Sequence, residues 1–295
     1  MTAWTRRTAC LSVFTAPLIL RSGLARAEAS EPALTAIEGQ LGGRLGVSAG
    51  TQAGVLLSHR ADELFPMCST FKVLAAAAVL ARVDAGSESL DRVIAFGPHD
   101  LLSYAPVTRK ALEAGGGTGR MTVSDLCAAA LEWSDNSAAN LLLAALGNPA
   151  ALTRWLHGIG DPVTRLDRDE PTLNTALPGD PRDTTSPAAM RETLGRVLRG
   201  SVLSVASRAR LEAWMVASRT GLKRIRAGLP PDWTAGDKTG TGDNGTFNDV
   251  AILRPPGHAP VFACVYITGA QVPAEAVEAA YAEIGRLVAA RAGAA

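Results

Sequence analysis

The sequence contains little of the material from which metal, redox and nucleic-acid sites are usually built. Its 295 residues include four cysteines and four histidines, and the formal net charge is +1. No C-x-x-C, H-E-x-x-H or EF-hand spacing occurs, so no local pattern predicts a metal ion. The near-neutral charge gives no electrostatic reason to expect a nucleic-acid or membrane-surface partner. We therefore expect no metal, no cofactor and a small molecule as the ligand.

Long apolar runs are missing as well, so the sequence offers no membrane anchor. Residues 1–27 instead combine four arginines and no acidic residue with a short apolar run from about Ala9 to Leu20, and they end in Ala25-Arg26-Ala27. This order is typical of a secretory signal and predicts cleavage after Ala27 and a periplasmic or secreted protein. Thr5-Arg6-Arg7 leaves twin-arginine export open beside the Sec route. Without these four of the 29 basic residues, 25 remain against 28 acidic ones, a charge of −3.

The apolar fraction of 47% is large enough for a substantial core, and the length predicts one or two domains. Near the start of the mature chain, periodicity predicts one helix and two strands, at 31–42, 44–50 and 53–59. Near the end it predicts three strands and a helix, at 233–241, 246–254, 259–268 and Pro273–Ala290. The region between them is mostly helical.

We expect the two ends of the chain to pair into one sheet, because each end supplies strands and the middle does not. The predicted fold class is α/β (an α+β sandwich), with a five-stranded antiparallel sheet flanked by helices and an inserted all-α domain. The predicted boundaries are 1–27 for the signal, 28–62 with 215–295 for the discontinuous α/β domain, and 63–214 for the all-α domain.

Ser69 and Lys72 form an S-x-x-K sequence at the start of a predicted helix that runs from Ser69 to Ala85. Ser69 is predicted to cap this helix and Gly86 to end it. Free N–H groups and the positive end of the helix dipole would stabilise an oxyanion beside Ser69. Lys72, one turn later, could take the serine proton if burial lowered its pKa. The alternative is a capping serine with a solvated lysine.

Lysine is scarce in this sequence: only four of the 29 basic residues are lysines. Where arginine is the default cation, a lysine indicates a position that needs a compact or deprotonatable amine. Two of the four, Lys72 and Lys238, fall in candidate motifs. Lys238-Thr239-Gly240 lies in a predicted strand, where an edge lysine facing water is the alternative.

Two further segments are candidates for a site. Ser134-Asp135-Asn136 follows a predicted helix, Thr122–Glu132, and its Asn and Ser also offer a cap for the next one, Ala138–Leu146. The segment from Arg165 to Asp183 has the length of an Ω-loop, and loops of this length are usually functional or disordered. Its alternative is a solvated acidic surface loop.

Gly46-Val47-Ser48-Ala49-Gly50 matches the G-x-S-x-G nucleophile elbow of α/β-hydrolases. That elbow needs a helix after the serine, whereas residues 53–59 are predicted as a strand. We therefore favour a hairpin here and keep a hydrolase that uses Ser48 as a minor alternative.

Taken in chain order, the sequences S-x-x-K, S-D-N, E-x-x-x-N and K-T-G resemble the class A serine β-lactamases. The third sequence is Glu170 to Asn174, inside the predicted Ω-loop. The resemblance covers about Glu31 to Arg286. It implies hydrolysis of penicillins or cephalosporins through an acyl-enzyme, with no cofactor.

The resemblance also implies a role for each matched residue. Ser69 is the nucleophile, Glu170 with Asn174 holds the deacylating water, and Ser134 passes a proton to the lactam nitrogen. Lys238 keeps that path positive, while Lys72 and Glu170 both remain open as the acylation base. The backbone N–H groups of Ser69 and Thr241 form the oxyanion hole. Implied substrate-binding residues are Tyr104, Asn136, Asn174, Arg224, Thr239, Gly240 and Thr241. Implied structural residues of the Ω-loop are Arg168, Asp183 and Pro171, which follows a cis peptide bond.

The chain departs from the family pattern at several positions. Trp133 stands where many members have tyrosine, and Phe247 stands where some have a substrate-binding arginine, so Arg224 takes over that role. Cys68 resembles the cysteine that some members bridge across the site, but Gly242 occupies the partner position. After loss of Cys10 with the signal, three cysteines remain, which we expect to be reduced thiols, Cys68, Cys127 and Cys264.

Two other functions compete with this one. A penicillin-binding DD-peptidase or esterase shares the serine, lysine and K-T-G elements but lacks the deacylating glutamate, so Glu170 and Asn174 argue against it. A secreted, non-catalytic binding module of the same fold is the other. We expect a monomer that acts on a small β-lactam, and the motifs do not define its substrate spectrum.

Overall fold

The computed structural model describes residues 1–2 and 32–293, so the predicted signal segment lies outside the described residues. The central sheet has five strands, which are β1 (Arg44–Gly50), β2 (Val55–His59), β7 (Thr234–Gly242), β8 (Thr246–Arg254) and β9 (Val261–Thr268). All four pairings are antiparallel in the order β2-β1-β9-β8-β7. Strand β1 pairs with β9 from Arg44 opposite Thr268 to Gly50 opposite Phe262. The predicted fold class, in which both chain ends share one antiparallel sheet, is confirmed.

Helices cover both faces of this sheet. They are α1 (Pro32–Leu41), α2 (Phe71–Asp84), α3 (Pro106–Ala114), α4 (Val123–Glu132), α5 (Asn136–Leu146), α6 (Pro149–Gly158), α7 (Pro187–Leu198), α8 (Val205–Val216) and α9 (Ala274–Gly293). Two short antiparallel pairs complete the fold, β3 (Phe65–Pro66) with β6 (Thr184–Thr185), and β4 (Val93–Phe96) with β5 (Gly119–Thr122).

Alternation along the strands divides the interior into two cores. In β8, Val250 and Ile252 join the core formed with α2, α4, α5, α7 and α8, whereas Ala251 and Leu253 join the core formed with α1 and α9. Neighbouring side chains of a strand point to opposite faces, so one strand serves both cores. The helical region thus packs on one face of the sheet, and α1 and α9 pack on the other.

Helix α2 lies inside the helical region, and every residue from Phe71 to Leu80 is buried. A helix that is apolar all round fits only in such a position. The prediction that Ser69 caps this helix is wrong. Cys68–Thr70 forms one 3₁₀ turn, α2 begins at Phe71, and no side chain caps either segment. Gly86 has a φ of 70°, as expected for a glycine just beyond a helix end.

Helix α5 is capped by Asp135 and not by Ser134 or Asn136, the two residues that the sequence offered. Helix α5 begins at Asn136, and Asp135 accepts a hydrogen bond from the backbone N–H of Ala138 at 2.9 Å. The same carboxylate accepts bonds from the N–H groups of Val107 and Thr108, so it also fixes the start of α3. Buried Asp135 therefore ties the start of α3 to the start of α5 at the turn that carries Ser134.

The Ω-loop is closed at its base by a buried ion pair. Arg168 Nε donates to Asp183 Oδ2 at 2.6 Å, and the other oxygen of Asp183 accepts the N–H groups of Asp167 and Arg168. The side chain of Asp183 is fully buried. The peptide bond before Pro171 is cis, as the resemblance implies. Within residues 32–293, no helix is long and apolar enough to span a membrane.

Candidate active site

A cavity of about 380 Å³ lies where the Ω-loop, the α4–α5 turn and β7 meet. Its lining residues are Ser69, Tyr104, Ser134, Asn136, Asn174, Thr220, Arg224, Thr239 and Thr241. All except Thr220 were singled out from the sequence. Thr220 accepts a hydrogen bond from the hydroxyl of Thr239 at 2.7 Å, and no sequence motif contains it. The structure therefore gathers segments from six parts of the chain around one cavity.

The centre of the site is a carboxylate oxygen shared by a serine and a lysine. Ser69 Oγ donates to Glu170 Oε1 at 3.1 Å across 101 residues of sequence. Lys72 Nζ lies 2.9 Å from the same oxygen, and both charged side chains are fully buried. Burial lowers the pKa of Lys72, and the negative charge of Glu170 opposes this effect. A solvated Lys72, the alternative considered above, is therefore excluded.

The hydroxyl of Ser134 lies between two amines. Lys238 Nζ donates to Ser134 Oγ at 3.0 Å, and Lys72 Nζ reaches the same atom at 3.3 Å. Lys72 also donates to Ser134 O at 2.8 Å and to Asn136 Oδ1 at 2.6 Å. Burial and the positive charge of Lys72 hold the pKa of Lys238 well below its usual value. Lys238 is fully buried, so it is not a water-facing edge lysine.

Glu170 is held by two asparagines. Asn174 Nδ2 donates to Glu170 Oε2 at 2.5 Å. Asn140 accepts from the backbone N–H of Glu170 at 2.9 Å and donates to its carbonyl at 2.8 Å. Asn140 belongs to none of the sequence motifs. The available signal was its position one helical turn after Asn136, which places it on the same face of α5.

Strand β7 passes close to the nucleophile because two of its residues lack side chains. A Cβ at Gly240 would lie 2.8 Å from Met67 O, and one at Gly242 would lie 2.6 Å from Cys68 Sγ and 2.7 Å from Asn174 O. Real Cβ atoms do not approach so closely, so these positions require glycine or a shift of the neighbouring chain. Cys68 and Gly242 thus face each other, as the resemblance implies.

Arg224 lines the cavity beside strand β7. Its Nη2 donates to Thr241 Oγ1 at 2.7 Å, and its Nη1 donates to the carbonyls of Gly240 and Asn248. The guanidinium also lies over the ring of Tyr281, 5.4 Å from its centroid. These contacts fix a permanent positive charge beside β7.

Tyr104 stands at the mouth of the cavity with 51% of its surface exposed. Its carbonyl accepts a hydrogen bond from the backbone N–H of Asn136 at 3.1 Å, so the mouth is tied to the α4–α5 turn.

Ser48 is not a nucleophile in this fold. It lies within β1, the next element is β2, and only 1% of its surface is exposed. The elbow geometry of α/β-hydrolases, with a helix after the serine, is therefore absent at this position. In the part of the chain that the structure describes, no three His, Cys, Asp or Glu side chains are grouped to hold a metal ion.

A serine hydroxyl that shares a buried carboxylate with a lysine is typical of an acyl-transfer enzyme with a covalent intermediate. The chain belongs to the β-lactamase enzyme family, whose model matches residues 30–292. β-Lactamase Toho-1 of Escherichia coli is 44% identical over 278 residues, which cover 93% of this chain and 94% of the relative. β-Lactamase OXY-2 of Klebsiella oxytoca is 45% identical over 262 residues, which cover 88% of this chain and 89% of the relative.

Solved structures agree with this assignment. The ancestral class A β-lactamase GNCA is 59% identical and matches with a TM-score of 0.83, covering 86% of this chain and 96% of that one. The class A resemblance drawn from the four motifs is therefore confirmed.

Proposed function

We propose that this protein is a class A β-lactamase that opens the lactam ring of penicillins and cephalosporins through an acyl-enzyme on Ser69. The observation that carries the proposal is the shared contact of Ser69 Oγ and Lys72 Nζ with Glu170 Oε1. Family membership supports the substrate class, since the relatives are named β-lactamases.

In the acylation step, Ser69 Oγ attacks the lactam carbonyl and its proton passes to Glu170 or Lys72, the two groups that meet beside it. The backbone N–H groups of Ser69 and Thr241 stabilise the oxyanion of the tetrahedral intermediate. When the C–N bond breaks, Ser134 Oγ gives its proton to the lactam nitrogen. The contacts of Ser134 with both buried amines support this role, because either can replace the proton.

In the deacylation step, Glu170 takes a proton from a water that attacks the acyl carbonyl. The ester C–O bond to Ser69 then breaks, and the proton passes from Glu170 to Ser69 Oγ, which leaves as a hydroxyl. Asn174 holds the carboxylate in place for this step. On the substrate side, Lys238, Thr239 and Arg224 attract the carboxylate. Asn136 binds the side-chain amide, Gly240 lets the substrate approach β7, and Tyr104 packs at the mouth.

Three variants test this proposal with nitrocefin and benzylpenicillin as substrates. We expect turnover by the wild type, none by Ser69→Ala, and a benzylpenicillin adduct of Glu170→Ala that persists in intact-protein mass spectrometry. An adduct that already persists on the wild type would instead support the penicillin-binding DD-peptidase. Lack of any adduct or turnover by a folded wild type would support a binding module.

We further propose that the protein is exported through the signal in residues 1–27 and acts as a monomer in the periplasm or outside the cell. The arginine-rich start and the Ala25-Arg26-Ala27 sequence support export.

We also propose the division of the mature chain into an α/β domain, 28–62 with 215–295, and an all-α domain, 63–214. The two cores on opposite faces of the sheet support this division.

A further inference from the structure

Asp249 is a fully buried acidic residue that the proposed reaction does not use. It lies on β8, opposite Thr239 of the K-T-G sequence on β7. Its Oδ2 accepts a hydrogen bond from the backbone N–H of Ile225 at 3.2 Å. Its Oδ1 has no hydrogen-bond partner among the described residues. A buried carboxyl group with one free oxygen calls for an explanation, because an unsatisfied polar atom in the interior is costly.

The charged groups near Asp249 are already engaged with other partners. Asp237 on β7 lies on the same face of the sheet and is also fully buried. It accepts a hydrogen bond from Arg226 Nη2 at 2.8 Å, so the charge of Arg226 is matched there. The two Nη groups of Arg224 donate to two carbonyls and a hydroxyl of β7 and β8. The Asp249 carboxyl group therefore lies beside a second carboxylate and receives no hydrogen bond from either guanidinium.

This arrangement favours the protonated form of Asp249. Burial and the negative charge of Asp237 raise the pKa of Asp249 well above its usual value, and Arg224 and Arg226 only partly offset this effect. Two further titratable groups interact with it, and burial raises the pKa of both, so they stay uncharged: Tyr281 of α9 and Cys264 of β9. Asp249 is thus a neutral carboxylic acid inside the folded protein.

The peptide group that Asp249 holds is the one that follows Arg224. The Arg224 side chain in turn donates to the carbonyl of Asn248, the residue before Asp249. Two adjacent residues of β8 therefore hold the backbone and the guanidinium of the same arginine. On its other side this segment packs against α9, where a Cβ at Gly285 would clash with Ile225 O. The chain after Arg224 is thus fixed between β8 and α9.

We propose that Asp249, as an uncharged carboxylic acid, positions Arg224 to bind the substrate carboxylate. The proposal rests on the proposed β-lactamase function, in which Arg224 attracts that carboxylate. Asp249 does not line the catalytic cavity, so it is a positioning residue that acts through Arg224. A neutral acid suits this position, because an ionised one would attract the Arg224 guanidinium itself and compete with the substrate anion.

Benzylpenicillin and its methyl ester together test the positioning role, because the ester lacks the negative charge that Arg224 binds. Asp249→Leu should raise KM for benzylpenicillin by about tenfold with a smaller change in kcat, since one hydrogen bond that orders the arginine is lost. KM for the ester should not change. Asp249→Asn should keep the wild-type values, because its amide oxygen can accept the Ile225 N–H. Equal losses for the two substrates would overturn the proposal.

Two further variants separate positioning from a general loss of stability. Val250→Ala shortens the next residue of β8, which faces the helical core, and should lower the thermal unfolding midpoint without changing KM. Asp249→Leu combined with Arg224→Ala should lose no more activity than Arg224→Ala alone, because Asp249 acts through the arginine. Additive losses in this cycle would contradict the proposal.

The charge state of Asp249 can be measured without turnover, so failure of this proposal is distinguishable from failure of the proposed function. A carboxyl group that is neutral in the folded protein ionises on unfolding once the pH exceeds about 4. The folded state then binds more protons than the unfolded state, so stability falls as the pH rises. The unfolding midpoint of the wild type should therefore fall relative to that of Asp249→Asn above about pH 5. A difference that stays constant would show that Asp249 is ionised.

Hydrogen exchange of the Ile225 amide reports the contact itself, also without turnover. In Asp249→Leu this amide loses its acceptor and should exchange about tenfold faster or more, whereas Asp249→Asn should keep the wild-type rate. The amide of Ala227, which donates to Arg224 O at 2.9 Å, is the internal control for opening of the whole segment. Asp249→Ala replaces Asp249→Leu in all these measurements if the leucine variant does not fold. An unchanged rate at Ile225 in a folded variant would overturn the proposal.

Discussion

At the residue scale, the buried amines of Lys72 and Lys238 determine how the site responds to pH. The scarcity of lysine, together with the S-x-x-K and K-T-G sequences, was enough to select both residues from the sequence. Their depressed pKa values could not be predicted, because desolvation of both amines, and repulsion of Lys238 by Lys72, depend on how distant segments pack. The capping role predicted for Ser69 failed because Ser69 lies inside the 3₁₀ turn Cys68–Thr70 that precedes α2, and its hydroxyl donates instead to Glu170, 101 residues away.

The lowered pKa of Lys238 predicts an alkaline limit to activity. Its amine loses the proton at a lower pH than an ordinary lysine, for which the pKa is about 10.4, so kcat/KM should fall on the alkaline side below that pH. Lys238→Arg should move this limb upward, because a guanidinium stays charged. The measurement is the pH profile of kcat/KM. Lys223→Arg, at an exposed lysine, is the control. Identical alkaline limbs for wild type and Lys238→Arg would contradict the assignment.

At the element scale, two contacts position the Ω-loop. The Arg168–Asp183 ion pair closes its base, and strand β7 packs against it at Asn174. The sequence predicted the position of the loop and the two charges that close it. It also predicted the five strands of the central sheet to within two residues at each end. It missed the pairs β3–β6 and β4–β5, because strands of two to four residues are too short to show alternation. It also missed Asn140, which binds the loop from α5.

Loss of the ion pair should affect deacylation more than acylation. Arg168→Met leaves the buried charge of Asp183 without its partner, which is expected to cost about 3 kcal/mol of unfolding free energy. Glu170 and Asn174 lie on the same loop, so the acyl-enzyme should accumulate in rapid-quench experiments. Arg182→Met, which breaks the exposed pair with Asp180, should change neither quantity. Equal effects of the two substitutions would refute a special role for the buried pair.

The approach of β7 to the loop can be tested by adding one methyl group. Gly242→Ala places a Cβ against Cys68 Sγ and Asn174 O, which should cost about 1–3 kcal/mol and slow deacylation. Adding Cys68→Ala removes one of the two clashes, so the double variant should recover part of the loss in thermal unfolding. Strict additivity in this cycle would mean that the two side chains do not interact.

At the scale of the whole molecule, folding buries the three described cysteines, two of them, Cys127 and Cys264, in the core formed with the helical region. Cys68, Cys127 and Cys264 are free and buried, and burial raises the pKa of each, that of Cys68 to about 12. The convergence of Ser69 and Glu170 also belongs to this scale. No local pattern encodes it, so the sequence predicted it only through the family resemblance.

Thiol reactivity should therefore report global unfolding. The folded mature protein is expected to leave Ellman's reagent unreacted over minutes, because the thiolate is the reactive form and water does not reach these side chains. In denaturant, three thiols should react per chain. Fewer than three would indicate a disulfide, and rapid reaction of the folded protein would show that one of the cysteines is accessible.

The distribution of lysines has a practical consequence for chemical conjugation. Lys72 and Lys238 are shielded from solvent, whereas Lys110 and Lys223 are exposed. Succinimidyl esters should therefore modify two side-chain amines and spare the catalytic pair. Replacing Lys223 by arginine leaves Lys110 on α3 as the sole accessible side-chain amine, which gives a defined point for immobilisation on a solid support.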